Sequence, residues 1–277
     1  MSEELVSVCI PAYNSGRFIV RTIESILNQT YKNIEIVVVD DCSSDDTVDK
    51  VKSIKDDRIK LIVNEANLGM SRNWDKCVRS CSGRYVKLIP ADDCIYPDCI
   101  SRSVMILEKH PEVSLVVVGT DLVDNDDKIT GSYMHWPGNG IVKGARIAKT
   151  SVMLNNFWGN PVCAMFRKDD YIATGGFDDD IPYILDFDLW LGLSRLGDTA
   201  VIKDKLSSFR VRKDSNTGVL IGSKGRDYTA EHVRLLDKHI VAHTFKMNGF
   251  ERWISITWRR LRNYLCLLYT SPSPRDY

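Results

Sequence analysis

The sequence predicts a doubly wound α/β fold, with a mostly parallel central sheet flanked by helices. Three observations predict it. Five short runs rich in Val and Ile, at residues 5–10, 34–39, 59–63, 85–89 and 113–118, alternate only weakly between apolar and polar. Strands buried on both faces have that pattern, and such strands belong to parallel sheets. Helical patterns stand between the runs, so the order strand, helix, strand, helix repeats. The composition, 44% hydrophobic and 27% charged, is that of a globular chain of 277 residues.

The first helical pattern covers residues 18–27, where Phe18, Ile19, Thr22, Ile23, Ile26 and Leu27 share one face. Asp45 or Asp46 is suited to cap a second helix through Val48, Val51 and Ile54, and Ser71 to cap a third that reaches Cys81. Residues 121–144 break into Gly, Asn, Asp and Lys, which predicts surface loops. Apolar periodicity returns at 162–166 and 185–196. Residues 214–227 are polar and contain glycine, as a mobile loop would be, and helical patterns then run to about Leu268. The final T-S-P-S-P-R-D-Y fits nothing before it and, with its two prolines, cannot extend a helix. The expected division is a nucleotide-binding domain at 1–213, a C-terminal helical extension at 214–269, and a disordered or non-native tail at 270–277.

Lys plus Arg and Asp plus Glu each number 37, so the net charge is zero and a nucleic-acid partner held by electrostatics is not expected. The start carries no secretory pattern, and no apolar run approaches the roughly 20 residues that span a bilayer. A cytoplasmic chain is the expectation. Eight cysteines are scattered singly, which predicts reduced thiols rather than zinc ligands or disulfides.

Ligands of open parallel sheets bind outside the carboxyl ends of the strands. There the sequence sets Pro11, Ala12 and Tyr13 after the first run, Asp40 and Asp41 after the second, and Asp92 and Asp93 after the fourth. Adjacent carboxylates repel unless a cation lies between them. Mg²⁺ or Mn²⁺, with its preference for oxygen ligands and phosphates, suits the pair at 92–93 and points to a bound diphosphate. A single acid pair is more often a turn or a cap; two pairs at one sheet edge are harder to explain that way. Neither G-x-G-x-x-G nor G-x-x-x-x-G-K-[ST] is present, which argues against a dehydrogenase and a P-loop NTPase.

At these residues the sequence resembles the family 2 glycosyltransferases of the GT-A fold. The matching pieces are V-S-V-C-I-P-A-Y-N from Val6, E-I-V-V-V-D-D-C-S-S-D-D-T from Glu35, N-L-G-M-S-R-N from Asn67, G-R-Y-V-K-L-I-P-A-D-D from Gly83, G-G-F-D from Gly175 and L-D-F-D-L-W-L from Leu185. They stand in the family's order across about residues 5–212. The resemblance implies an inverting enzyme that moves a sugar from a nucleotide-sugar donor, a UDP-sugar foremost, to a hydroxyl of a glycan or lipid-linked acceptor, with Mn²⁺ or Mg²⁺. It implies that Pro11, Ala12, Tyr13, Asp40, Asp41, Asn67, Arg72 and Asp92 bind the donor. Asp93 would ligate the metal. Asp186, with Asp188 as competitor, would be the general base. Trp190 in the same helix is expected to pack in the core. Many family members carry His where this chain has Arg212. Arginine cannot ligate a cation but pairs with phosphate, so Arg212 would share the diphosphate charge or be a plain surface residue. A nucleotidyltransferase and a catalytically silent sugar-nucleotide-binding subunit remain as alternatives.

Near the C-terminus, His232, His239 and His243 share a helix face, which predicts a packed or solvated face rather than a metal site. Further on, Phe250, Trp253, Ile254, Trp258, Leu261, Tyr264, Leu265 and Leu268 recur at helical spacing, with Arg252, Arg259 and Arg262 opposite and Arg260 at the flank. A helix over 250–268 with that face either packs on the domain or makes peripheral contact with the inner face of a membrane.

Overall fold

The computed structural model describes residues 4–133, 136–212 and 229–270, the stretch 262–270 by its backbone alone. Its first half is the predicted alternation. Strands β1 (Val6–Ala12), β2 (Ile34–Asp40), β3 (Ile59–Val63) and β4 (Tyr85–Leu88) pair in parallel in the order β3-β2-β1-β4. Helices α1 (Ile19–Leu27), α2 (Thr47–Ser53) and α3 (Met70–Arg79) connect them. All of β1 and nearly all of β2 are buried, and α1 turns Ile19, Thr22, Ile23 and Ile26 inward, whereas the edge strand β3 is only partly covered.

One of the expected caps differs, and the other is settled between its two candidates. Ser71 lies inside α3, whose N-cap is Gly69 at φ 83°, a left-handed conformation that favours glycine. At α2 it is Asp45, not the N-cap Asp46, whose carboxylate accepts from the Thr47 N–H at 3.0 Å.

The second half contains β5 (Cys94–Ile95), α4 (Cys99–Lys109), β6 (Val113–Val123), β7 (Ile129–Ser132), β8 (Gly140–Val142), α5 (Gly144–Met153), β9 (Ala164–Arg167), α6 (Lys168–Thr174), α7 (Leu185–Leu196) and β10 (Asp198–Arg210). The sheet continues β4-β9-β6-β10-β5. β9 runs antiparallel to both β4 and β6, whereas β10 is parallel to β6. The sheet is therefore mixed, with its parallel block first in sequence. Residues 121–144, expected as surface loops, hold the end of β6 together with β7 and β8. These two strands are largely exposed, which is why their polar composition gave no strand signal.

An aromatic block closes the core beneath β9. Phe166 and Tyr171 stack with centroids 5.8 Å apart, and the fully buried Trp190 donates its Nε1–H to the Gly159 carbonyl at 3.3 Å. Helices α8 (Thr229–Val241) and α9 (Gly249–Thr270) pack on this half. His232 Nε2 meets Ser255 Oγ at 2.9 Å, and Ser255 in turn donates to the Val152 carbonyl at 2.7 Å, which ties α8, α9 and α5 together. Burial, and after it Arg259, pushes His232 down to about 3, so it is neutral. His239 is buried as well, while His243 is exposed. The seven described cysteines are all free thiols. The expected loop at 214–227 and residues 271–277 of the tail lie outside the described residues.

Candidate active site

At the carboxyl ends of β1, β2 and β4 the sheet opens into a cleft of about 530 Å³. Pro11, Ala12, Tyr13, Asp41, Asn67, Asp92 and Arg212 all line it, residues drawn from five separate stretches of the sequence. The turns after β1 and β2 are tied to each other. Asn14 at φ 47° receives the Ser44 N–H on its Oδ1 and gives its own N–H to Ser43 Oγ, both at 2.8 Å. Asn tolerates this left-handed conformation better than most residues. Tyr13 is half exposed on the rim.

Asp41 forms one wall. Its Oδ1 accepts from Asn64 Nδ2 and the Leu68 N–H, each at 2.8 Å, and its Oδ2 accepts from the Gly69 N–H at 3.0 Å. A carboxylate has about four lone-pair sites, so roughly one remains on Oδ2 for a ligand donor. Asp40 has a different job. It is fully buried and turns its carboxylate onto the Ser43 N–H at 2.9 Å, which shapes the turn and leaves Asp40 off the cleft wall.

Asp92 and Asp93 follow β4. Asp92 lines the cleft and pairs with Arg212 at 3.2 Å. Asp93 lies behind it, 1% exposed, with Oδ1 accepting the Arg210 N–H at 2.8 Å. Burial first, and the neighbouring Asp92 charge second, raise the Asp93 carboxyl well above the usual carboxylate range. Asp93 Oδ2 is buried and has no hydrogen-bond partner among the described residues. A hard cation would relieve that oxygen. Mg²⁺ sites on phosphates commonly take only one or two protein carboxylates, the phosphates and water supplying the rest. Among the described residues no group of three or more His, Cys, Asp or Glu is arranged to hold a metal. The residues thus fit a cation shared with a diphosphate rather than one caged by protein.

Asp186 and Asp188 are separated by their surroundings. Asp188 is 3% exposed and both of its oxygens are taken, Oδ2 by Lys238 Nζ at 2.7 Å and Oδ1 by His239 Nε2 at 2.8 Å. It fastens α8 to α7. Asp186, in the first turn of α7, accepts the Phe187 N–H at 2.7 Å and has, among the described residues, no charged partner like those of Asp188. Burial raises its carboxyl to about 6 against that backbone donor. Neither residue lines the cleft wall itself.

The model of the family described as "Glycosyl transferase family 2" matches residues 7–173. The chain belongs to that family. A UDP-Glc:alpha-D-GlcNAc-diphosphoundecaprenol beta-1,3-glucosyltransferase of Escherichia coli is 33% identical over 199 residues, 70% of this chain and 72% of that enzyme. A chondroitin synthase of Escherichia coli is 30% identical over 217 residues, 78% of this chain but 30% of the synthase, so this glycosyltransferase spans under a third of that protein. Among solved structures, residues 1–349 of S. aureus TarS in complex with UDP-GlcNAc superpose with a TM-score of 0.72 at 17% identity, covering 95% of this chain and 73% of that 1–349 chain. A mannosyltransferase from Pyrobaculum calidifontis in complex with GDP-Man and Mn²⁺ gives 0.60 at 19% identity, covering 96% and 72%. At such identities the likeness shows the GT-A fold alone.

Of the donor residues expected of this glycosyltransferase, Arg72, like Asp40, does not line the cleft. It pairs with Asp179 at 2.7 Å and lines a second cleft of about 440 Å³, between α3 and the G-G-F-D loop. The sequence reading also passed over Arg210, which is 2% exposed. Its Nε donates to the Asp92 carbonyl at 3.0 Å, its other nitrogens reach the Asp124 carbonyl and Asp127, and its guanidinium lies 4.7 Å over the Phe18 ring. The only local signal was an arginine two residues before Arg212.

Proposed function

We propose that this glycosyltransferase takes a UDP-sugar and passes the sugar, with inversion, to a hydroxyl of a lipid-linked glycan. The observation that carries the reading is the convergence of Pro11, Ala12, Tyr13, Asp41, Asn67, Asp92 and Arg212 on one cleft at the carboxyl edge of the sheet. In it, Asp41 Oδ2 accepts a donor from the base edge, and Asn67 and Tyr13 bound the nucleoside. Arg212 and the Asp92–Asp93 pair face the diphosphate. Asp93 would hold a divalent cation, which would supply positive charge opposite the leaving diphosphate. Asp186 deprotonates the acceptor hydroxyl, a task for which a carboxyl near 6 is better matched to neutral pH than an ordinary one. Asp188 is less suited to that task, because Lys238 and His239 occupy both of its oxygens. The lipid-linked acceptor rests on the names of relatives such as the undecaprenol-linked glucosyltransferase of Escherichia coli.

The test is a thermal-shift panel of UDP, GDP, UDP-glucose, UDP-N-acetylglucosamine and GDP-mannose, each with Mn²⁺, Mg²⁺ or chelator. Stabilisation by the uridine compounds that disappears with chelator supports the reading. Stabilisation by GDP compounds alone, or equal stabilisation with and without metal, rejects the donor or the metal.

A further inference from the structure

Helix α9 is amphipathic, but much of its aromatic side is not the side that docks. Toward the protein, Ile256 packs on the core beside a set of polar contacts. Glu251 pairs with Lys149 of α5 at 2.7 Å, Arg252 with Asp237 of α8 at 2.8 Å, and Ser255 is buried between His232 and the Val152 carbonyl. The aromatic side faces outward. Phe250 is 68% exposed, Trp253 61%, Leu261 46% and Trp258 42%. The Phe250 and Trp253 rings stack on each other with centroids 6.0 Å apart. Trp258 donates its Nε1–H to the Leu154 carbonyl at 3.0 Å, which brings the exposed Leu154 side chain into the same surface.

An apolar face that merely packed on the domain would be buried, so this one has another partner. Its chemistry selects among partners. Between residues 242 and 261 the sequence has Lys246, Arg252, Arg259 and Arg260 against the single acid Glu251. Glu251 is turned inward onto Lys149, while Lys246 and Arg260 are exposed. Tryptophan and phenylalanine on one side with basic residues around them match a helix lying in the headgroup region of an anionic bilayer. A symmetric contact with a second copy would set this net positive segment against itself.

We propose that the outward face of α9, centred on Phe250, Trp253, Trp258 and Leu261, docks the enzyme on an anionic lipid surface. No helix among the described residues is long and apolar enough to cross a membrane. The proposal is independent of which acceptor the enzyme uses.

The experiment is co-sedimentation of the full chain with sucrose-loaded vesicles of phosphatidylcholine alone or with phosphatidylglycerol, at low and high salt. Intrinsic tryptophan fluorescence is recorded in parallel. The expected result is binding to the phosphatidylglycerol vesicles that weakens at least tenfold at high salt, with a blue shift in emission. The variant F250S/W253S/L261S changes exposed side chains only and should lose binding at least tenfold with an unchanged far-UV spectrum. Should that variant misfold, K246E/R260E gives the same reading through the charge alone. Absence of binding to either vesicle, or binding that neither variant weakens, overturns the proposal. So does self-association in sedimentation velocity that F250S/W253S/L261S disperses while vesicle binding is absent, because a second copy then covers the face.

Discussion

The backbone N–H of Arg210 donates to Asp93 Oδ1 at 2.8 Å, so the last residue of β10 holds the acid that follows β4. That bond occupies one oxygen of Asp93 and leaves the other buried and unsatisfied among the described residues. One residue thus keeps a single oxygen unsatisfied directly behind the cleft-lining Asp92.

The roles of the two acids should separate under mutation. Asp93→Ala is expected to abolish Mn²⁺-dependent UDP binding, read by calorimetry. Asp186→Asn is expected to leave that binding within about twofold and to lower transfer by about 10²–10⁴-fold, the usual contribution of a general base. Equal loss of donor binding in both variants would contradict the assignment.

Arg212→His should tighten Mn²⁺ in the presence of UDP. The arginine now pairs with Asp92 at 3.2 Å, and an imidazole there would offer a neutral nitrogen ligand in its place. A calorimetric titration showing no change, or a weaker metal, would remove Arg212 from the metal's surroundings.

Asp186 makes a prediction about pH. Its carboxyl is raised by burial from 3.8 to about 6. The folded chain therefore holds a proton that the unfolded chain has already released between about pH 4 and pH 6. Stability falls as pH rises through that window, and the loss is complete above it. Asp186→Asn keeps an acceptor for the Phe187 N–H and removes the charge. The variant should be more stable than the parent by about 1–2 kcal/mol at pH 7.5 and equal to it near pH 4, by denaturant unfolding. In the parent enzyme, transfer should decline below about pH 6 as the base takes up its proton.

Lys238→Met should destabilise the fold by about 2–3 kcal/mol in the same assay. It leaves the 3%-exposed Asp188 with His239 alone, and a buried carboxylate that loses a cation is costly. The Asp188→Asn/Lys238→Met double variant should recover most of that loss. Without recovery, the pair does not act as a unit.

Lys87→Met should do the opposite. Lys87 is fully buried beside the Cys99 and Cys163 thiols, and apart from the weakly accepting Cys99 sulfur its Nζ meets no hydrogen-bond partner among the described residues. An unsatisfied buried donor costs about 1–3 kcal/mol, and methionine fills a similar volume without it. Lower stability of the variant would mean that the ammonium is satisfied in solution.

Local chemistry is what the sequence made legible. The parallel block announced itself because strands covered on both faces must be apolar throughout, and Asp41 and Asp92 stood out because the ends of such strands are where ligands bind. Partners chosen by distant pairing left no such trace. That β9 would enter between β4 and β6, or that Lys238 and His239 would claim Asp188 across 50 and 51 residues, is encoded in no window of sequence. The outward side of α9 was ambiguous for a related reason. Its periodicity defines an apolar face, but only the contacts of Glu251, Arg252 and Ser255 say which side is docked.

The insertion of β9 has a consequence for how the chain comes off the ribosome. β4 ends at Leu88, yet the strand that covers its outer edge begins at Ala164. Until those 75 intervening residues have emerged, a nascent chain carrying β1 to β4 has a bare, apolar edge with open backbone groups, the template on which strands of other chains add. Pairing at such separation in sequence is also slow to close. The parallel block alone is thus the aggregation-prone stage of synthesis, and the brief antiparallel strand Ala164–Arg167 is what ends it.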